Sequence, residues 1–293
     1  MRRAGVVART LVAALAATAA MLCAPGSAAA ASSSSASPSR ASPSSVSPVA
    51  WAPAARAPVH PAVRTYTAGA QCTANFVFAD DAGVYLGQAA HCSGGGEPGG
   101  VDGCSSGSLP LGTPVRIDGA TRPGTLAYSS WIAMRGVRET RPDVCAYNDF
   151  ALVRIDPHDV AKVNPSVPFW GGPTGVDTDG TRRGEPVVSY GNSSLRNALP
   201  TLSPKKGVSL GDEGQGWSHA VFTVTPGIPG DSGSPVLSVG GAALGVVATL
   251  RLAPVLGSNG VGDLAREVAY ARAHGIPGLR LVKGTVAFRG PRW

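Results

Sequence analysis

Short apolar runs separated by turn-forming residues recur along the chain after residue 66, and they predict β-strands. The first two runs, 75–78 and 84–86, flank a segment whose Asp and Gly residues are typical of a hairpin turn. Further runs predict strands over 114–117, 125–134, 150–155, 186–190, 219–224, 235–239 and 242–250. Strands at this density predict an all-β body, built as a sandwich or a barrel.

One segment near the C-terminus departs from this pattern and predicts a helix. Asp263 is a suitable N-cap, and apolar residues then recur at the three- and four-residue spacing of one helix face. Gly275 follows, so we expect the helix to end at about His274. The segment 278–288 beyond it could add a closing strand.

The N-terminus has the pattern of a cleaved secretory signal, which we assign to residues 1–30. Arg2, Arg3 and Arg9 precede an apolar run over 11–22, and small residues follow it. That run is too short to cross a bilayer comfortably, because a span needs about 20 apolar residues. We therefore expect an exported, extracellular protein with no membrane span after signal cleavage.

Residues 31–65 are rich in Ser, Pro and Ala, which predicts a disordered linker or pro-segment that could associate with a cell wall.

The formal net charge of +7 comes largely from the first 65 residues, since six of the 25 basic residues precede residue 66. The body then has 19 basic against 18 acidic residues. A nucleic-acid-binding domain concentrates positive charge, so we expect no nucleic-acid partner.

The cysteines predict disulfides. Cys23 belongs to the signal, and the other four are Cys72, Cys92, Cys104 and Cys145. An even number in an exported chain is typical of disulfide pairing, although four cysteines allow three connectivities. None of the spacings is typical of a zinc site, so we expect no metal and no cofactor.

Three short strings carry the candidate chemistry, in the order His, Asp, Ser. They place His91 in Gln-Ala-Ala-His-Cys, Asp149 in Asn-Asp-Phe-Ala-Leu, and Ser232 in Gly-Asp-Ser-Gly-Ser-Pro. A serine hydroxyl is a weak nucleophile that needs an imidazole base, and the imidazole needs a carboxylate to orient it. The α/β-hydrolase elbow is excluded, because it requires glycine at position 234 and a helix after it.

These strings resemble those of the chymotrypsin-like (trypsin-like) serine proteases, and especially the small secreted bacterial members. The resemblance implies an all-β domain over residues 66–293, with two six-stranded antiparallel β-barrels and a C-terminal helix. It also implies a secreted serine endopeptidase that acts on a peptide or protein substrate through an acyl-enzyme intermediate, which we expect to be a monomer.

By the same resemblance, each string contributes a separate role. Ser232 is the nucleophile, His91 is the general base, and Asp149 orients and stabilises the imidazolium. The backbone N–H groups of Gly230 and Ser232 form the oxyanion hole, where a glycine at position 230 leaves room for the peptide to turn.

The resemblance also implies one disulfide pairing. Cys72 and Cys92 match the family's pair that braces the histidine loop. Cys104 and Cys145 then remain as the second pair.

The candidate substrate pocket lacks the acid that would select a basic side chain. Pro226 stands six residues before Ser232, where trypsin-type members place that acid. Ala248 and Leu250 are the other pocket candidates, and Leu250 would crowd the entrance. We therefore expect no preference for Arg or Lys, and a small or apolar substrate side chain instead.

Several positions depart from the family pattern. Gln88 replaces the usual threonine, Ser234 replaces a glycine, and Ala248 stands where a serine usually supports the aspartate. These departures keep an alternative open, in which the chain is a catalytically weak or inactive homologue. Such a homologue would bind peptides in the extracellular space or at a cell wall.

Overall fold

The computed structural model describes residues 49–94, 102–196, 199–251 and 255–291, which belong to a compact unit that begins at Pro48. The predicted signal and the first part of the predicted linker lie outside these residues. The strands of the described residues are β1 (Arg64–Thr67), β2 (Ala70–Thr73), β3 (Val77–Ala79), β4 (Val84–Gln88), β5 (Pro114–Ile117), β6 (Gly124–Ser129), β7 (Ala151–Arg154), β8 (Pro186–Tyr190), β9 (Pro204–Glu213), β10 (Ser218–Thr223), β11 (Pro235–Ser238), β12 (Ala243–Arg251), β13 (Ser258–Asp263) and β14 (Arg280–Leu281). Their α-helices are α1 (Ser130–Val137), α2 (Pro142–Tyr147) and α3 (Leu264–His274).

The second half of the chain closes into a six-stranded antiparallel barrel. Its strands follow the order β10-β13-β12-β11-β8-β9. A cluster of buried aliphatic side chains fills its interior, and the set is Val187, Val221, Val236, Leu244, Val247 and Val261. This barrel matches the expectation for the half that contains Ser232.

The first half forms an eight-stranded antiparallel sheet, where the resemblance implied a second six-stranded barrel. Its order is β14-β3-β4-β7-β6-β5-β1-β2. The C-terminal strand β14 adds to this sheet, since Arg280 pairs with Ala79 of β3. The all-β class and the C-terminal helix are confirmed, and the strand count of this half is corrected.

Two local predictions match the observed elements closely. The predicted hairpin is formed by β3 and β4, which pair antiparallel across the turn. The predicted helix is α3, whose N-cap Asp263 accepts a hydrogen bond from the amide of Arg266 at 2.8 Å. Gly275 is its C-cap.

The predicted strand over 125–134 is wrong in its second half. β6 ends at Ser129, and α1 begins at the next residue. Trp131 and Met134 are buried three residues apart on one face of α1. The hydroxyl of Ser130 donates to the carbonyl of Asn148 at 2.7 Å, which ties the helix start to the segment preceding Asp149.

The folded part begins earlier than residue 66. Val59, Ala62 and Val63 are buried. The amide of Ala62 donates to the carbonyl of Ala74 at 2.9 Å, which joins this segment to the sheet. The linker boundary at residue 65 is therefore too late, because this Pro- and Ala-rich stretch contains enough apolar surface to pack.

Both disulfides follow the pairing that the resemblance implied. Cys72 bonds with Cys92, and Cys104 bonds with Cys145.

Within the described residues, none of the helices has the length and apolar character needed to traverse a bilayer.

Candidate active site

His91 and Asp149 form a close pair in the first half of the molecule. His91 lies in a 3₁₀ turn just after β4, and Asp149 lies between α2 and β7. Nδ1 of His91 is 2.6 Å from Oδ2 of Asp149, and the backbone amide of His91 donates to Oδ1 at 2.8 Å. The His91 side chain is 28% exposed, whereas that of Asp149 is buried. The ring is therefore held on one side and open on the other.

Backbone contacts hold the two segments of this pair together. The amide of Ala90 donates to the carbonyl of Asp149 at 3.2 Å. The side chain of Gln88 is buried, where it accepts from the Thr65 hydroxyl at 2.8 Å and donates to the Ser93 hydroxyl at 3.0 Å. Gln88, one of the departures from the family pattern, thus braces the histidine turn from both sides.

The pKa of His91 is raised above its ordinary value of 6.5. Burial alone would lower it, because desolvation disfavours the imidazolium. The Asp149 carboxylate more than offsets this, through its charge and its hydrogen bond with the ring. The site therefore favours a positive charge on His91.

The loop that contains Ser232 rests on the segments around His91. The amide of Thr73 donates to the carbonyl of Ser232 at 2.8 Å, and the Thr73 hydroxyl donates to the carbonyl of Gly230 at 2.7 Å. A Cβ on Gly233 would come within 2.3 Å of the Thr73 carbonyl and 3.0 Å of the Ala89 amide. This close approach, at a φ of +87°, requires glycine at position 233.

In the part of the chain that the structure describes, one ring nitrogen of His91 and the hydroxyl of Ser232 are free of hydrogen bonds. Among the described residues, neither Nε2 of His91 nor the Ser232 hydroxyl has a hydrogen bond. A ring nitrogen of His91 lies within 4.8 Å of both sulfurs of the disulfide that precedes Thr73. The structure thus joins His91 to Asp149 directly, and it brings Ser232 to the same region through backbone contacts.

The amides of the Ser232 loop divide into two groups. The amide of Asp231 donates to the carbonyl of Ile228 at 2.8 Å, and that of Gly233 donates to the carbonyl of Val247 at 2.7 Å. Within the described part of the chain, the amides of Gly230 and Ser232 have no acceptor. They are thus available to an external oxygen.

Another contact orients the peptide at the start of this loop. The hydroxyl of Ser193 donates to the carbonyl of Pro229 at 2.5 Å, and Ser193 is buried. Because the carbonyl and the amide of one peptide point in opposite directions, this contact turns the amide of Gly230 away from Ser193. Ser193 lies outside any motif, so no sequence pattern indicates this contact.

Asp231, the residue before Ser232, forms a buried charge cluster with two cations. Its Oδ2 accepts from Arg196 at 2.5 Å and from Lys205 at 3.0 Å. Nζ of Lys205 also donates to the carbonyls of Thr225 at 3.1 Å and Pro226 at 2.9 Å. All three protons of Lys205 are therefore used, and they tie the Ser232 loop to the segment around Pro226.

Burial and charge act in opposite directions within this cluster. Burial would raise the pKa of Asp231, but Lys205 and Arg196 lower it below its ordinary value. Burial lowers the pKa of Lys205, and the attraction to Asp231 does not fully compensate. The Asp231 carboxylate is thus a stable anion next to Ser232.

Comparison with protein families assigns the fold. The family model described as "Trypsin-like peptidase domain" matches residues 72–246, more than half of the 293 residues, and this span includes His91, Asp149 and Ser232. The chain belongs to the trypsin-like peptidase domain family. Membership of this family supports the interpretation that the chain is a serine protease. No curated protein sequence matched the chain.

Among solved structures, this trypsin-like domain is similar to several bacterial proteases. Protease A of Thermobifida fusca is 18% identical, with 77% of this chain and 99% of that chain covered and a TM-score of 0.49. A Nocardiopsis protease and Cellulomonas bogoriensis chymotrypsin are each 18% identical, with 76% of this chain and 98% of those chains covered and TM-scores of 0.45.

The predicted pocket residues of this trypsin-like domain lie on two segments. Pro226 and Leu250 are exposed, and Ala248 is half-buried. The buried side chain of Asn259 bridges the segments, since it accepts from the Gly227 amide at 2.9 Å and donates to the Thr249 carbonyl at 3.1 Å. Asn259 was missed because no motif marks it, yet it fixes the spacing of these two segments.

Potential metal ligands in the described residues are already used. Two groups bring ligand atoms within 4.8 Å of one another: Cys72, His91 and Cys92, and Asp102, Cys104 and Cys145. Each group contains both sulfurs of a disulfide, and a disulfide sulfur is not a thiolate ligand. Neither group is a metal site.

Proposed function

We propose that this chain is a secreted serine endopeptidase that cleaves peptide bonds through an acyl-enzyme intermediate on Ser232. The observation that carries the proposal is the 2.6 Å pair between His91 and Asp149, next to a serine loop that rests on the same segment. This is the arrangement in which an imidazole can accept a proton from an alcohol and keep the resulting charge.

The proposed reaction gives each of these free groups a defined role. Oγ of Ser232 attacks the substrate carbonyl carbon while Nε2 of His91 accepts the hydroxyl proton, and Asp149 stabilises the imidazolium. The amides of Gly230 and Ser232 donate to the oxyanion. The peptide C–N bond then breaks, and His91 returns its proton to the departing amine. Water repeats the sequence and releases the acid.

Export to the extracellular space is part of the proposal. It is supported by the predicted signal at residues 1–30 and by the two disulfides, which persist mainly in oxidising compartments. Attachment to a cell wall through the Ser- and Pro-rich segment, and action as a monomer, remain separate hypotheses.

We also propose that the pocket accepts small or apolar side chains and disfavours Arg and Lys. Two buried cations, Arg196 and Lys205, face a single anion behind Pro226, so their net charge repels a basic substrate side chain. Cleavage of a peptide library checks this preference. Dominant cleavage after Arg or Lys would contradict it.

Covalent labelling tests the catalytic proposal directly. A fluorophosphonate probe reacts with an activated serine, so the wild type should be labelled and Ser232→Ala should not. Ser238→Ala is the matched control, because Ser238 is a half-buried serine at the end of β11 and outside the site. Failure to label the folded wild type would favour the alternative of a peptide-binding homologue.

A further inference from the structure

A buried carboxyl group lies directly behind Asp149. Glu267 belongs to the first turns of α3 and is completely buried, on the same side of the helix as Leu264 and Val268. Its Oε1 accepts a hydrogen bond from the backbone amide of Asp149 at 3.3 Å. The helix of the second half thus reaches the backbone of the predicted triad aspartate.

The neighbouring strands leave room for this carboxyl group. A Cβ on Gly262 of β13 would lie 2.3 Å from Oε1 of Glu267, so any larger residue would collide with it. A Cβ on Gly245 of β12 would lie 2.2 Å from the carbonyl of Gly262, which keeps these two strands close behind the site. The cavity for Glu267 therefore depends on glycine in β13.

Support for Asp149 from other side chains is sparse. In the described residues, the Asp149 carboxylate accepts hydrogen bonds only from the amide and the ring of His91. Ala248 cannot supply a hydroxyl, because alanine has none. Two side chains hold the backbone here: Glu267 accepts from the amide of Asp149, and the Ser130 hydroxyl bonds with the carbonyl of Asn148 and the amide of Phe150 on either side.

Burial and two neighbouring carboxyl groups shift the pKa of Glu267. Desolvation raises the pKa of Glu267 well above its ordinary value, and the negative charges of Asp149 and Asp263 add to this rise. Its second oxygen, Oε2, has no partner among the described residues. The charged and titratable groups that face this region are Asp149 with His91, Asp263 with His219, and Tyr128 of β6 with Tyr270 of α3. Both causes therefore act against a second negative charge beside Asp149.

We propose that Glu267 is a positioning residue, whose buried carboxyl group holds the amide of Asp149 and thereby fixes the carboxylate that orients His91. This role rests on the proposed function, since it concerns the efficiency of the same site. It makes the C-terminal helix a supporting element of the catalytic pair.

Three variants of the full-length enzyme test this role. Glu267→Gln has the shape of the neutral acid and keeps an acceptor, so kcat should stay near that of the wild type. Glu267→Leu leaves the Asp149 amide without a partner, and we expect kcat to fall about 10- to 100-fold with little change in KM. Val268→Ala is the control, because it creates a cavity in the same buried helix face without touching Asp149.

The pH profile and the NMR spectrum separate positioning from mere stability. In Glu267→Leu the acid limb of kcat/KM should move to lower pH, because a displaced carboxylate stabilises the imidazolium less. The downfield resonance of the His91 Nδ1 proton should weaken in Glu267→Leu and persist in Glu267→Gln and Val268→Ala. A folded Glu267→Leu with wild-type kcat and spectrum would overturn the proposal.

A further variant covers the case in which Glu267→Leu does not fold. Glu267→Asp withdraws the carboxyl group by one methylene, and we expect changes in the same direction but smaller. Unchanged kcat and spectrum in this variant would also overturn the proposal. The spectrum can be recorded on a protein that does not hydrolyse peptides. If such a protein shows a resonance that depends on Glu267, the endopeptidase function is contradicted, whereas the positioning role of Glu267 is supported.

Discussion

Two histidines, one in each half of the molecule, form nearly identical pairs with aspartate. Nδ1 of His91 is 2.6 Å from Asp149, and Nδ1 of His219 is 2.7 Å from Asp212. They differ at the other ring nitrogen. Nε2 of His219 is 3.0 Å from Asp263 and the side chain is completely buried, whereas the His91 side chain is 28% exposed and its Nε2 has no hydrogen bond among the described residues.

The difference shows that a short His–Asp distance does not identify a catalytic histidine. In both histidines burial would lower the pKa, and the carboxylates raise it instead. A general base also needs a free nitrogen that a hydroxyl can reach. Both ring nitrogens of His219 are hydrogen-bonded to carboxylates, so neither is free for a hydroxyl. His219 therefore acts as a buried cation that joins β10 to the start of α3.

The largest expected effect comes from replacing the aspartate of each pair. Asp149→Asn should lower kcat by about 10⁴-fold, because an amide facing Nδ1 favours the wrong tautomer of His91. Asp212→Asn should leave kcat unchanged and lower the free energy of unfolding by about 1 kcal/mol, since Asp212 is partly exposed. Steady-state kinetics and urea unfolding of both variants provide the measurement. A similar loss of kcat in both would abolish the distinction between the two pairs.

The His91 region is the part of the site that could be predicted from the sequence. The residues that brace His91 lie next to it in the chain, as Gln88 and Ala90 do, so a short motif contains most of the local geometry. The same holds for α3, where the N-cap, the apolar face and the terminal glycine lie within one short segment. Local patterns predict local structure well.

In the Ser232 region, only the motif around Ser232 could be predicted from the sequence, and not the residues that hold it in place. The ion pairs that hold Asp231 join it to Lys205, 26 residues away, and to Arg196, 35 residues away. β9 was missed because its inward positions carry Lys205, Gly207 and Ser209, so its alternation does not look like a buried strand. No short-range pattern could reveal residues whose partners meet only in the closed barrel.

A smaller effect, on stability, is expected from His219 itself. His219→Gln leaves two carboxylates without their cation, so we expect the free energy of unfolding to fall by about 3 kcal/mol. His158→Gln is the matched control, because His158 forms a comparable pair with Asp156 at 2.8 Å but is 64% exposed. His158→Gln should therefore not change Tm measurably, because an exposed ion pair contributes little to stability. Equal changes in Tm for the two variants would mean that burial does not distinguish them.

The smallest expected effect is the pH dependence of stability, which has a definite sign. Because the pKa of His219 is raised in the folded protein, its contribution is fully present below about pH 6.5 and is lost as pH rises through the raised value. The pKa of Asp212 is lowered, chiefly by its hydrogen bond to His219 acting against burial, so its contribution disappears on the acid side as pH falls through that lowered value. Urea unfolding at pH 5.5 and 8.5 should therefore show a decline in the wild type that is smaller in His219→Gln. His91 contributes with the same sign, so part of the decline must remain in that variant, and an identical decline in the two proteins would show that His219 is not a buried cation.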